Sequence, residues 1–329
     1  MPATPEAVAD ALGRLPVVIE GAAVASGERL VPSYPWGPRP TSVVTLAGGG
    51  LVGCGEHVGW TAEAHAAFRT VALPISRGTI AEFSAALRET VAAPYDRAAL
   101  EAAAIDLALR QQGLSLFTAS GAEARPVRYV ASFERRPDAV AHARALRAAA
   151  PDVALKVDVD PVWDDAQLHA LAAVGGIAVL DFKATGAADD HERAHRCCPE
   201  ALIEDPTPAG TPRSATLRRR LSADAAVLSA AAVDALPEAP AAVNLKPARM
   251  GGVLELLAAA ARCRALGIAV YVGGMFELGA GRTQLHALAA LLCPDAPNDV
   301  APIALDPRPA PRPPRLVVDG ACPGFGAGS

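Results

Sequence analysis

A chain of 329 residues has room for two domains, or for one large α/β barrel with an appendage. Apolar residues at 51% against 20% charged exclude an acidic disordered chain, and a net charge of −5 with 4% aromatics lacks the basic footprint and stacking rings of a nucleic-acid binder. The 29 prolines and 28 glycines fall short of a low-complexity composition, so they punctuate many short elements.

The opening residues, Met1 to Pro16, carry no basic stretch leading into an apolar one, so no signal peptide is expected. No apolar run reaches the roughly 18 residues of a membrane span. From Val17 to Glu56, β-branched stretches broken by the Gly48-Gly-Gly50 triplet and by Gly53-Cys-Gly55 predict an antiparallel meander. Between Ile80 and Arg110 apolar residues recur every three or four positions, which predicts helices. The first 115 or so residues therefore read as an α+β unit, strands and then helices.

After Gly121, short apolar runs alternate with Ala-rich helical segments. The runs are Val127–Phe133, Val153–Asp158, Ile177–Lys183, Ala201–Glu204, Arg220–Asp224, Ala242–Lys246 and Ile268–Val272, with an eighth near Val300–Leu305. Repeated βα units of this kind predict a parallel sheet closed as a (β/α) barrel. The six cysteines have no CxxC spacing and are expected as reduced, small hydrophobes of a cytoplasmic protein. His191 and His195, beside Cys197 and Cys198, lie in an Asp- and Arg-rich segment and are read as solvated surface.

Ionisable residues fall where these strands end: Lys156 and Asp158, Asp181 and Lys183, Glu204, Asp224, Lys246, and Glu277 shortly after the seventh run. In a (β/α) barrel those ends form the active-site mouth. Asp181, Glu204 and Asp224 lie about one βα unit apart and make an oxygen-rich set suited to a hard divalent cation, although any one of them alone reads as a helix cap. Residues two apart on a strand project together, so Lys156 pairs with Asp158 and Asp181 with Lys183.

Asn244-Leu-Lys-Pro-Ala-Arg-Met-Gly-Gly252, followed by Gly267-Ile-Ala-Val-Tyr-Val-Gly-Gly-Met-Phe-Glu-Leu-Gly-Ala-Gly-Arg282, resembles the end of the barrel in the enolase superfamily. The resemblance is to the mandelate racemase/muconate lactonizing branch, with muconate-lactonising enzymes, o-succinylbenzoate synthases and N-acylamino-acid racemases. Leu202-Ile-Glu-Asp-Pro206, Ser222-Ala-Asp224 and Ala104-Ile-Asp-Leu-Ala-Leu-Arg110 also match it, and Pro323-Gly-Phe-Gly326 resembles the family's C-terminal return. It implies a modified (β/α)7β barrel under an α+β capping domain: 1–115 as cap, 116–306 as barrel, 307–329 as a return packing on the cap.

The resemblance further implies that Asp181, Glu204 and Asp224 bind Mg²⁺, which holds the carboxylate of a small-molecule substrate. Lys246 then matches the family's sixth-strand lysine, either the acid–base residue that removes the α-proton to give an enediolate or a cation facing that intermediate, with elimination or isomerisation to follow. Two departures stand out. Lys156-Val-Asp158 replaces the usual Lys-x-Lys, and Asp181-Phe-Lys183 the usual Asp-x-Asn, which places two-base racemisation in question. Lys183 is either a replacement acid–base group or the partner of Asp158 in a salt bridge. Racemase, cycloisomerase or synthase chemistry would need Lys156 or Lys183, and a non-catalytic carboxylate-binding descendant is the alternative of another class. Trp36, His57 and Trp60, in loops of the capping domain, are expected with Glu277 to contact substrate, or else to anchor those loops. The expected assembly is a homo-oligomer.

Overall fold

The computed structural model describes residues 4–31, 34, 36–207, 213–302 and 310–326. The chain begins with a helix that the sequence patterns above do not announce, Pro5–Gly13, started by a Thr4 cap and by Pro5 in its first turn. Strand β1 (Pro16–Val18) is followed by the meander β2 (Gly21–Arg29), β3 (Arg39–Gly48) and β4 (Leu51–His57), and β5 (Arg77–Thr79) returns to pair with β1. Gly49 and Gly50 turn the β3–β4 hairpin, both at positive φ (60° and 74°), as a two-residue turn of that hand requires. Gly53 and Gly55 have a different cause. A Cβ on either would fall 2.0–2.4 Å from backbone of the helix Pro94–Gln111, whose Ala99 and Ala103 face the meander.

The parallel sheet comprises β6 (Val130–Phe133), β7 (Ala154–Asp158), β8 (Ile177–Asp181), β9 (Leu202–Glu204), β10 (Leu221–Ala223), β11 (Ala242–Leu245) and β12 (Ala269–Val272), each paired with its neighbour in chain order. Each lies within a predicted run. The eighth element differs from the expected Val300–Leu305. The seam is closed by Asn298 and Asp299, which bridge Tyr129 before β6 and Gly273 after β12, and 303–305 lie outside the described residues. Pro297 and Pro302 flank this seam and offer no ladder N–H, so a long strand is disfavoured. The Asn298 side chain supplies the missing bonds, accepting from Val272 N–H (2.8 Å) and donating to Arg128 O (3.0 Å) and Cys293 O (2.8 Å).

Near the C-terminus, Leu316 exchanges two backbone hydrogen bonds with Val127, and Gly324 pairs with the stretch Leu114–Leu116. His191 and His195 depart from the surface expectation. Both are buried, because their helix, Ala188–Cys197, turns that face inward, where His191 meets the Phe182 ring edge-on. Among the described residues no helix is long and apolar enough to cross a membrane.

Two carboxylates tie the N-terminal unit to the barrel. Glu56 on β4 accepts the N–H groups of Leu278 (2.5 Å), Gly279 (2.8 Å) and Gly281 (3.0 Å) at the start of the helix Ala280–Leu292. Glu101 does the same for Val253 and Leu254 at the start of the helix Val253–Ala265. These are charged caps on orphan donors, favoured by the helix dipole. Glu56→Ala is expected to lower unfolding stability by about 3 kcal/mol, since several buried donors lose a charged acceptor. A loss below about 1 kcal/mol in urea titration would count against this reading.

Burial, with Arg282 adding to it, pushes the His286 imidazole down to about 4, although its Nε2 lies 2.9 Å from Val300 O. The unfolded state therefore binds the extra proton first. Stability is complete above the ordinary histidine value of 6.5 and falls as pH drops toward 4. The expected loss from this group is about 2 kcal/mol at pH 5, and His286→Gln should flatten the pH dependence of the urea midpoint. Identical slopes in parent and variant would rule this cause out.

Candidate metal and acid–base site

The strand ends converge on a mouth cavity of about 420 Å³. Register places Asp181 opposite both Asp158 and Glu204, so three carboxylates share one level of the sheet, and Asp224 follows the next strand. One ligand oxygen each from Asp181, Glu204 and Asp224 lies within 4.8 Å of the other two, and all three residues are buried.

So much buried negative charge needs compensation. Lys156, 1% exposed, donates to Glu204 Oε1 at 2.5 Å and sits 3.1 Å from Asp181 and 3.3 Å from Asp299. Lys246 Nζ lies 2.7 Å from one Asp224 oxygen and Arg249 2.9 Å from the other. Lys183 contacts Asp181 and lies 3.3 Å from Asp158, which makes the cross-strand ion pair one of its two interactions. Burial raises the Glu204 carboxyl to about 8, against the pull of Lys156 and with Asp181 and Asp224 adding to the rise. Burial would also raise Asp181, but Lys156 and Lys183 outweigh it and hold that carboxyl below the usual range. Asp224 is held low in the same way by Lys246.

The donor set consists of hard oxygens alone, and three carboxylates are buried together here. A divalent cation answers both features, and Mg²⁺ fits these residues. Asp205 accepts the N–H groups of Asp224 (2.7 Å) and Ala225 (2.9 Å), which fixes the Asp224 backbone. Lys183, Ala184, Asp205 and Phe276 are the non-glycine residues at positive φ among those described, and all four line this mouth.

Two family models match, described as Domain of unknown function (DUF8230) N-terminal domain over residues 10–119 and Domain of unknown function (DUF8230) C-terminal domain over residues 123–306. The chain belongs to the DUF8230 family. An N-succinylamino acid racemase of Amycolatopsis sp is 35% identical over 161 residues, and that match spans 44% of the racemase and 45% of this chain. The dipeptide epimerase of Methylococcus capsulatus complexed with Mg ion is 25% identical, with a TM-score of 0.76 over 94% of this chain and 99% of the epimerase. A structure of that epimerase with Mg and the dipeptide L-Arg-D-Lys is similar at 24% identity and TM-score 0.77, over 94% of this chain and 99% of its own. A mandelate racemase/muconate lactonizing protein of Sorangium cellulosum superposes with a TM-score of 0.73 at 23% identity, over 94% and 98%. The DUF8230 chain thus shares the fold of these structures, a capping domain over a barrel.

Within this DUF8230 chain, Trp36 and Trp60 line the mouth together with Asp158, Lys183, Asp224 and Lys246. His57 and Glu277 do not. His57 is buried below the lid, its Nε2 2.9 Å from Asp96 and its ring stacked on Phe68, because β4 directs it into the capping domain. Glu277 folds back and accepts the Met275 N–H at 2.8 Å, so it braces the loop after β12. Three further residues belong to the site. Asp299 arrives through the barrel seam, Arg249 through the short helix after Lys246, and Tyr271 from inside β12, where its hydroxyl donates to Glu204 at 2.5 Å and meets Ser222. Only Tyr271 carried a signal, as a polar-tipped residue inside an otherwise aliphatic strand.

Proposed function

We propose that the chain is a Mg²⁺-dependent enzyme that removes the proton α to the carboxylate of a small-molecule substrate, with Lys246 as the acid–base residue. The observation that supports this most directly is the buried Asp181–Glu204–Asp224 set with the Lys246 side chain at its edge, facing the cavity. Mg²⁺, held by those three carboxylates, would supply Lewis acidity for the charge that develops as the proton leaves. As the neutral amine, Lys246 accepts the proton at Nζ, which lies 2.7 Å from Asp224 Oδ2 and is positioned by it. Lys156 is enclosed among Glu204, Asp181 and Asp299 and acts as a counter-charge rather than as a base.

Whether the proton returns to the opposite face decides between epimerisation and elimination. Lys183 lines the cavity with its side chain 45% exposed, three strands from Lys246 in the closed ring. This favours isomerisation, with Lys183 as second acid–base group in the place that Asp158 does not fill. The racemase and epimerase relatives point to the same outcome, on dipeptides or N-acylated amino acids. The same reading divides the chain into cap 1–115, barrel 116–306 and return 307–329, and takes the protein as cytoplasmic and homo-oligomeric. Incubation in D₂O with Mg²⁺ and a panel of dipeptides and N-succinyl amino acids, followed by proton NMR, should show loss of the α-proton signal. Absence of exchange across the panel, together with no thermal shift on adding Mg²⁺, would sink the proposal.

A further inference from the structure

Proton abstraction does not require what the lid carries. Tyr34, Trp36 and Trp60 from two loops of the capping domain meet Phe276 from the loop after β12, with ring centroids 5.1 Å (Tyr34–Trp36), 5.9 Å (Trp36–Trp60) and 6.1 Å (Trp60–Phe276) apart. The chain has only 3 tryptophans, 4 tyrosines and 7 phenylalanines, and four of these rings gather here. Trp36, Trp60 and Phe276 line the cavity that holds Asp224 and Lys246, with Met275 and Leu278 beside them. Trp36 is 67% exposed, so much of its indole faces water until something covers it.

The ring faces on the inner side are already taken. The Arg39 guanidinium lies 5.2 Å from the Tyr34 ring and 5.1 Å from the Trp60 ring. It is buried and donates to the carbonyls of Gly59 (2.6 Å), Val58 (2.6 Å) and Met275 (3.0 Å), so it also binds the capping-domain loop to the barrel loop. A ring that already holds one cation offers little attraction to a second. A cationic side chain therefore gains little from the Tyr34 and Trp60 rings, which Arg39 already occupies. An apolar group, by contrast, gains from covering exposed indole and from ring–ring contact.

We propose that this aromatic box receives an apolar, ring-sized side chain of the carboxylate substrate and that Trp36 and Trp60 select it, with Arg39 as the positioning residue that assembles the box. The inference rests on the proposed α-proton chemistry only for the identity of the carboxylate. It contrasts with the dicationic L-Arg-D-Lys held in the M. capsulatus epimerase structure.

The test is calorimetric titration of the Mg²⁺-loaded protein with Phe-Ala, Leu-Ala, Ala-Ala and Arg-Ala and with the reversed sequences, alongside α-proton exchange on the same panel. A phenylalanine-containing dipeptide should bind roughly tenfold more tightly than Ala-Ala or its arginine counterpart. Trp36→Ala, at an exposed position where folding is not at stake, should shrink that margin below about threefold and act on KM rather than kcat. Trp60→Phe should retain most of the margin. Equal affinity across the panel, a preference for arginine, or an unchanged margin in Trp36→Ala overturns the proposal. Exchange without preference refutes the box and leaves the acid–base reading standing, whereas preference without exchange does the reverse.

Discussion

Lys246→Ala is expected to lower α-proton exchange by roughly 10³-fold or more, the range that a positioned general base contributes. Neither of the other two lysines takes over from Lys246 on its own side of the substrate, because Lys156 is pinned among three carboxylates and Lys183 approaches from another strand. Folding should survive the change. Asp224 keeps Arg249 at 2.9 Å, so its charge is not left bare. Lys246→Met, which keeps the volume of the stem, should behave the same way, and an unchanged circular dichroism spectrum would show that the loss is chemical. If either variant retained exchange within about tenfold of the parent, another group would have to carry the proton. Lys183→Ala should then abolish it instead.

The second large effect is one of stability rather than catalysis. Lys156→Met should destabilise the metal-free protein by about 3–5 kcal/mol, because removing one partner of a buried ion cluster leaves uncompensated charge behind. Asp181 and Glu204 are fully buried, and Asp299 loses the cation 3.3 Å from it. Adding Mg²⁺ should restore much of the loss, since a ligand at 100 times its dissociation constant stabilises the folded state by about 2.7 kcal/mol. The informative quantity is the difference between melting temperatures with and without Mg²⁺, which should be larger in the variant than in the parent. Equal shifts would mean that Lys156 and the cation do not share the same carboxylates. A variant too unstable to purify without Mg²⁺ but folded with it would give the same answer in stronger form.

The amino-acid sequence determined the seven strands and the residues at their ends, because apolar runs of strand length, glycine breaks and Ala-rich helical spacing are local signals. Asp181, Glu204, Asp224 and Lys246 are therefore legible as mouth residues from the order of residues along the chain. Other features were settled only by the tertiary structure. The seam at Asn298–Asp299 depends on the two edges of the sheet meeting after a full turn, and Asp299 enters the site only through that closure. His57 and Glu277 have the residue types and positions of substrate contacts, yet β4 turns one toward Asp96 and a backbone N–H captures the other. The lid box joins Tyr34 to Phe276, more than two hundred positions apart, around a buried arginine that nothing in its own neighbourhood in the sequence marks as such. Periodicity reports which face of an element is apolar, whereas the partner of a buried polar group is chosen by long-range packing, where desolvation makes an unmatched donor or charge too costly to keep.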